Sequence, residues 1–120
     1  MSELKDRTCE ACRVGAPLVT PDEIGKLKPQ IPEWEITEMD GIQRLVRTFR
    51  FADFRAALAF TQKVGELAEE QGHHPAIVTE WGRVTVTWYS KKIKGLHVND
   101  FVMAAKTDVI ASACKGGIPA

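Results

Sequence analysis

The sequence predicts an α+β fold in which helices pack on one face of a four-stranded antiparallel sheet. Two pairs of alternating apolar and polar segments each surround a tight-turn signal, which is typical of β-hairpins. Segments with helical spacing precede, separate and follow these pairs. The predicted order is therefore α-β-β-α-β-β-α, and hairpins separated by a helix favour a sheet that is covered on one side.

The first helix is predicted to begin at Thr20. Threonine is a common N-cap, and Pro21 suits the first position because its missing N–H group has no partner there in any case. Pro29 and Pro32 keep the helix short, since proline does not continue a helix. Residues 1–20 show no clear periodicity and are expected to form an irregular N-terminal arm.

The first hairpin is predicted around Asp40 and Gly41, a residue pair that favours a two-residue turn. The strand before it is expected over residues 33–39 and the returning strand over 42–51. Alternation along the returning strand predicts which side chains share one face of the sheet. They are Leu45, Arg47, Phe49 and Phe51.

The second helix is predicted to begin after Asp53 and to end before Gly72, which suits a helix terminus because glycine tolerates positive φ. Helical spacing predicts an amphipathic helix. The residues in this repeat are Phe54, Ala57, Leu58, Thr61, Val64 and Ala68.

The second hairpin is predicted from strands over 76–81 and 84–90, joined by a turn at Gly82 and Arg83. A last helix is expected over 98–113. The final KGGIPA segment is expected to be frayed.

Composition limits the classes of function. A chain of 120 residues suits one domain, expected over residues 1–120. Sixteen basic residues balance sixteen acidic ones, so no global field attracts nucleic acid or an anionic membrane. No apolar run is long enough to span a membrane, and the polar start lacks the apolar core of a signal peptide. With an odd number of cysteines, three, these features favour a cytoplasmic protein whose partners are small molecules or proteins.

The EEQGHHP segment holds two adjacent histidines at the predicted corner between helix and strand. Pro75 restricts His74 to extended conformations, so the imidazoles are expected to be held in place. Imidazole titrates near neutral pH and can both donate and accept a proton. Glu69 lies four residues before His73 and Glu70 four residues before His74, so either carboxylate is placed to orient a ring if the helix persists that far. The segment therefore predicts a proton-transfer site.

A metal site is the alternative use of such a cluster. Cys9 and Cys12 form one CxxC pair, and with the two histidines they would complete a zinc ligand set. Neither a second CxxC pair nor an HxxxH pair is present. The spacing therefore predicts no metal.

Asp100, His97 and three aromatic residues have structural as well as functional interpretations. Asp100 lies near the start of the last helix, where a carboxylate commonly caps the helix. His97 is expected to be a surface residue at the same helix terminus. The aromatic residues Trp81, Trp88 and Phe101 are expected in the core or as the flat wall of a pocket for a planar heterocycle.

A spaced set of residues extends from the second helix to the last one. Its members are Glu69, His73, His74, Pro75, Trp81 and Asp100, accompanied by the stretches CEACR, IPEW, ALAFTQKVGELAE and KGLHVNDF. This pattern resembles the pterin-4a-carbinolamine dehydratases, most closely their bacterial branch. Animal members double as dimerization cofactors of a homeodomain transcription factor. The likeness covers nearly the whole chain, and the family has the same order of helices and strands.

The resemblance implies a dehydratase that removes water from a 4a-hydroxytetrahydropterin, recycling the pterin of an aromatic amino acid hydroxylase without cofactor or metal. It assigns catalysis to His73, His74, Glu69 and Asp100, and substrate binding to Pro75, Trp81 and Lys91. A dimer or tetramer is expected, because sheet edges need covering and family members form such oligomers.

Lys91 departs from the family pattern, which usually has histidine at this position. The ordinary pKa of lysine lies well above neutral, so lysine is poorly matched to proton transfer at neutral pH. His97, six residues further on, compensates for the missing histidine only if the loop folds back. This departure favours an alternative in which the chain is a weak or inactive family member that binds a protein partner. The intact Glu69-His73-His74-Pro75 corner favours the enzyme.

Overall fold

The structure, a computed structural model, describes residues 18–90, 93–113 and 117–118. The predicted α+β order is confirmed. The elements are α1 (Pro21–Leu27, followed by a 3-10 turn at Lys28–Gln30), β1 (Glu35–Met39), β2 (Ile42–Phe51), α2 (Phe54–Gln71), β3 (Ala76–Glu80), β4 (Arg83–Trp88), α3 (Val98–Ala113) and β5 (Gly117–Ile118).

The sheet is antiparallel with the strand order β1-β2-β4-β3, so each hairpin supplies one central strand and one edge strand. Leu45 of β2 lies opposite both Ile36 of β1 and Trp88 of β4. This register lines up the buried side chains of the two central strands on one face, where α2 and α3 contact β2 and β4. The core therefore lies between that face and the helices.

The segment that was expected to be frayed contains a short strand instead. Gly117 and Ile118 pair with Phe51 and Arg50. Arg50 also pairs with Arg83 of β4, so β5 lies along the other edge of β2, the edge that β1 occupies further along. The prediction of a frayed end is wrong for these two residues, because nothing local in KGGIPA indicates a partner strand so distant in sequence.

The first hairpin turn is confirmed, with positive φ at both Asp40 and Gly41 as its two-residue geometry requires. The second turn falls at Trp81 and Gly82, one residue earlier than predicted. Gly82 has a φ of 73°, and a Cβ there would lie 3.1 Å from the carbonyl oxygen of Phe51. The close approach of β2 to this turn therefore requires glycine at its second position.

Both long helices have the predicted bounds. In α2, Asp53 accepts a hydrogen bond from the Ala56 N–H group at 2.8 Å. The buried face of α2 is only partly as predicted. Phe54 and Leu58 belong to the predicted repeat but are exposed, whereas Phe60 lies outside it and is buried. The buried residues are Ala57, Phe60, Val64 and Ala68.

The first helix begins with a capping box, in which the side chain of Thr20 accepts from the Glu23 N–H group and the Glu23 carboxylate accepts from the Thr20 N–H group. It ends at Leu27, as the prolines predicted, and Leu27 joins the core. Among the described helices, none is long and apolar enough to cross a membrane.

Candidate active site

The candidate site begins where α2 ends. Gly72 has a φ of 67°, and its N–H group donates to the carbonyl of Glu69 at 3.3 Å. The N–H group of His73 donates to the carbonyl of Ala68 at 3.1 Å. These two bonds form a Schellman motif, which satisfies carbonyls at the helix end and turns the chain sharply. The predicted helix stop at Gly72 is confirmed, and the motif fixes the backbone of the first histidine.

His73 is enclosed by the sheet and by α3. The residue is 7% exposed to solvent. Its ring stacks on that of Trp88, with the ring centroids 5.6 Å apart and an interplanar angle of 15°. Its Nε2 atom lies 2.6 Å from Oδ1 of Asp100. When Nε2–H donates to this carboxylate, Nδ1 is the ring nitrogen left to accept or release a proton.

Asp100 lies in the first turn of α3 and is 0% exposed. Its second oxygen, Oδ2, accepts hydrogen bonds from the Ser90 hydroxyl at 2.8 Å and from the His97 N–H group at 2.9 Å. The buried carboxylate thus has three hydrogen-bonding partners, counting His73. Such bonds stabilise the ionised carboxylate, whose burial without partners would be costly.

His97 directly precedes α3 as its N-cap and is buried, so the expectation of a surface residue is wrong. Its Nδ1 atom accepts the N–H group of Asn99 at 3.0 Å, while its own N–H group donates to Asp100. The Asp100 carboxylate thus accepts from the N-cap N–H group as in a capping box, while the His97 ring caps the second helical residue, Asn99, instead of the third. The three-residue spacing from His97 to Asp100 was a sequence signal for the hydrogen bond between the His97 N–H group and this carboxylate.

His74 pairs with Glu69 on the solvent side of the corner. The His74 Nε2 atom lies 2.6 Å from Glu69 Oε1, and both side chains are largely exposed. The four-residue spacing from Glu69 to His73 suggested a different partner, but the left-handed turn at Gly72 ends the helical geometry first. The two imidazoles therefore occupy different environments, one buried against a buried carboxylate and the other solvated.

Trp88 forms the wall behind His73. Its side chain is fully buried, and its Nε1–H group donates to the Thr107 hydroxyl at 3.1 Å. That hydroxyl donates in turn to the carbonyl of Met103. The contacts fix the indole against α3, so the flat surface that His73 meets is rigid.

Trp81 lies at the other end of β3 from the histidines. The five residues of this strand span about 16 Å. The Trp81 side chain is 72% exposed and lines an open cleft of about 450 Å³ with Arg50, Phe51 and Arg83. Within one chain, Trp81 is not brought together with His73, and its assignment to substrate binding stays a prediction.

Lys91, Cys9 and Cys12 lie outside the described residues. Ser90, which directly precedes Lys91 in sequence, belongs to the hydrogen-bonded site, and its N–H group donates to the carbonyl of Gly95 at 2.8 Å. In the described part of the chain, no three metal-ligating side chains cluster in a way that could hold an ion. The described arrangement therefore consists of two histidine–carboxylate pairs at one corner.

Comparison with known proteins identifies the family. A sequence profile described as pterin 4 alpha carbinolamine dehydratase matches residues 17–110. The chain belongs to this family. The matched range contains every site residue described above.

Two curated relatives and one solved structure agree with this assignment. Proteins named "Putative pterin-4-alpha-carbinolamine dehydratase" from Syntrophotalea carbinolica and Nitrosococcus oceani are 61% and 63% identical over 110 and 108 residues. These alignments cover 92% and 90% of this chain, and 98% and 96% of the relatives. The crystal structure of a "transcriptional coactivator/pterin dehydratase" from Brucella melitensis is 29% identical, with a TM-score of 0.70, over 78% of this chain and 98% of that chain.

Proposed function

We propose that the protein dehydrates a 4a-hydroxytetrahydropterin to the quinonoid dihydropterin by acid–base catalysis. The observation that carries the proposal is the 2.6 Å contact between buried His73 and buried Asp100, with a second histidine–carboxylate pair beside it. Membership of the family and the names of its relatives support the substrate class and the reaction.

The reaction needs two proton movements and no redox step. The C4a–O bond breaks as the departing hydroxyl takes up a proton and leaves as water. N5 loses its proton, and its electron pair forms the C4a=N5 double bond. Two imidazoles in different environments suit these two tasks, since an acid and a base at one site need different surroundings.

The residues divide into those that move protons and those that hold them. His73 and His74 carry the protons in this proposal. Asp100 orients the ring of His73, and Glu69 orients the ring of His74. Pro75 restricts the backbone conformation of His74, which directly precedes it. The exposed pair faces solvent and can exchange protons with water between turnovers.

The test is the dehydration rate of freshly generated 4a-hydroxytetrahydropterin. His74→Ala is the decisive variant because His74 is solvent-exposed and its loss leaves the core intact. We expect its rate to fall roughly a hundredfold or more, the usual contribution of a general acid or base. Glu70→Ala, at the same helix end and also exposed, is the matched control and should keep the wild-type rate. A wild-type protein that does not exceed the uncatalysed rate would contradict the proposal.

A Lys91→His variant measures the departure from the family pattern. Lys91 directly follows Ser90, whose hydroxyl bonds the site carboxylate. An increase in rate would mean that lysine at this position limits the reaction, and an unchanged rate would mean that the two histidine–carboxylate pairs suffice.

We further propose that the protein acts on the pterin released by an aromatic amino acid hydroxylase, in the cytoplasm, as a homo-oligomer. The family supports self-association and a pterin substrate. The outer edge of β3, which no strand covers in the described part of the chain, supports association through strand pairing.

A protein-binding role is the second candidate. The Brucella protein favours it, because its description pairs transcriptional coactivator with pterin dehydratase. Lys91 also favours it, since that position usually holds histidine in the family. Inactivity of wild type together with activity of Lys91→His would favour this second role, because the fold and the remaining site would then be intact.

A further inference from the structure

We propose that Ser90 and His97 are positioning residues that fix the tautomer of His73 through Asp100. This inference concerns the catalytic group of the proposed dehydratase and so rests on that function for its kinetic consequences. The sequence did not single out Ser90, and it favoured a surface position for His97. Both residues donate a hydrogen bond to one oxygen of the Asp100 carboxylate, which leaves the other oxygen for His73.

The oxygens of Asp100 have separate partners. Oδ2 receives the Ser90 hydroxyl at 2.8 Å and the His97 N–H group at 2.9 Å, while Oδ1 faces His73 Nε2 at 2.6 Å. The two hydrogen bonds to Oδ2 restrict rotation of the carboxylate group. They also stabilise its ionised form, which can only accept a hydrogen bond from His73 at Oδ1. The neutral form of His73 then carries its proton on Nε2 and presents Nδ1 unprotonated.

Removing a donor weakens both effects. Without the Ser90 hydroxyl, the buried carboxylate of Asp100 accepts one fewer hydrogen bond, so its negative charge is less stabilised and its orientation is less restrained. The alternative arrangement, in which the pair has taken up one further proton from solvent so that a protonated carboxyl donates to Nε2 and the ring carries its proton on Nδ1, then becomes more populated. That tautomer offers N–H rather than a lone pair to a substrate.

His97 acts on the same oxygen from the backbone. Its Nδ1 atom accepts the N–H group of Asn99 at 3.0 Å, which holds the residue in the N-cap position from which its own N–H group reaches Asp100. The loop before it is closed by hydrogen bonds between Ser90 and Gly95. Both donors to Oδ2 are therefore held by the same loop, and the start of α3 is coupled to the orientation of His73.

The direct test is nitrogen-15 NMR of the His73 imidazole, because protonated and unprotonated ring nitrogens have distinct chemical shifts. In wild type we expect protonated Nε2 and unprotonated Nδ1. Ser90→Ala should shift both signals toward a mixture of tautomers, and Ser90→Thr, which keeps the hydroxyl, should restore them. A His73→Gln variant assigns the resonances. Wild-type shifts retained in folded Ser90→Ala would overturn the proposal for Ser90.

The N-cap is tested separately with His97→Ala and His97→Ser. Serine retains a side-chain acceptor for the helix N-terminus, whereas alanine does not. We expect the alanine variant to show the tautomer mixture and the serine variant to resemble wild type. Equal His73 shifts in both variants and wild type would overturn the role of His97, whatever their thermal stabilities.

Kinetics complete the test. The kcat of Ser90→Ala should fall roughly tenfold or more, as when a group that orients a reactive side chain is lost, with KM little changed and the loss reversed by Ser90→Thr. A structural role alone would lower stability without this separation of kcat from KM. If the wild-type protein lacks dehydratase activity, the proposed function fails, while the NMR result still decides whether Ser90 and His97 set the tautomer.

Discussion

Gly72 turns the chain from α2 into the site, with a φ of 67° that residues carrying a Cβ rarely adopt. A Cβ built at this position meets no atom within 4 Å, so backbone strain is the cost of substitution. The hydrogen bonds of the Gly72 and His73 N–H groups both depend on this conformation. Gly72 therefore fixes the position of the first histidine.

Gly72→Ala should consequently affect both stability and activity. We expect the free energy of unfolding to fall by about 1 kcal/mol, the cost of placing a non-glycine residue in the left-handed region. The dehydration rate should fall as well, because relaxing the turn moves His73 relative to Asp100. Urea denaturation and the dehydration assay on the same preparation measure the two effects.

Gly65→Ala is the control for this prediction. Gly65 lies within α2, and no atom lies within 4 Å of a Cβ built there. Alanine should stabilise the helix by about 1 kcal/mol and leave the rate unchanged. If Gly72→Ala were also neutral or stabilising, the left-handed turn would not be what holds the corner.

At the scale of elements, Asp108 joins α3 to the sheet and to the segment before β1. Its Oδ1 atom accepts from the Arg47 guanidinium at 2.7 Å and from the Trp34 indole N–H group at 2.8 Å. Burial raises the pKa of the Asp108 carboxyl, although the bonds to Trp34 and Arg47 act in the opposite direction. The raised pKa means that ionisation is less favourable in the folded chain than in the unfolded chain.

The sign of the pH dependence follows from this shift. As pH rises from the usual carboxyl pKa of 3.8 through the raised value, the unfolded chain loses its proton first, so the contribution of Asp108 to stability falls. The Asp108→Asn variant has no ionisable group at this position, so its stability does not fall in this way as pH rises. We expect the stability of the variant, relative to wild type, to be higher at neutral pH than at acidic pH.

Urea denaturation of both proteins at several pH values measures this difference. Asp22→Asn is the control, since Asp22 is exposed in the first turn of α1. A relative stability of Asp108→Asn that falls as pH rises would mean that the ion pair with Arg47 outweighs burial, contrary to the prediction.

Local patterns predicted the elements well because their signals lie within a few residues. The Asp53 cap and the Gly72 stop bound α2 correctly, and Asp40-Gly41 predicted its turn. The errors have long-range causes. The second turn is set by contact between Gly82 and Phe51, two residues brought together only by the sheet.

The candidate site shows the same division between local and distant information. The sequence singled out both histidines and Asp100, but not which carboxylate meets which ring. His73 lies 27 residues before Asp100 in the chain, and their contact depends on the packing of α3 against the sheet. The contacts of Ser90 and His97 with Asp100 depend on that packing too, although the spacing of His97 and Asp100 was a local signal for the hydrogen bond between the His97 N–H group and the Asp100 carboxylate.

At the scale of the whole molecule, the described residues leave the outer edges of β1 and β3 unpaired, and β3 has an exposed apolar residue at its centre, which favours association. In the described residues, β3 ends the strand order β1-β2-β4-β3, and its outer edge pairs with no strand. Val78, at the middle of β3, is 55% exposed. An edge strand with an exposed apolar residue at its centre favours pairing with another strand. Phe54 and Leu58, one turn apart on α2, form a second exposed apolar surface.

Val78→Lys tests whether the proposed homo-oligomer forms through β3. In a two-fold symmetric pairing of two β3 strands, the introduced lysines come close together, so we expect the dissociation constant to rise roughly tenfold or more. Sedimentation equilibrium measures the change. Val109→Lys, at a valine of α3 that is 48% exposed, is the matched control and should leave association unchanged. If Leu58→Lys dissociates the oligomer and Val78→Lys does not, the copies associate through α2, and the edge of β3 must be protected in another way.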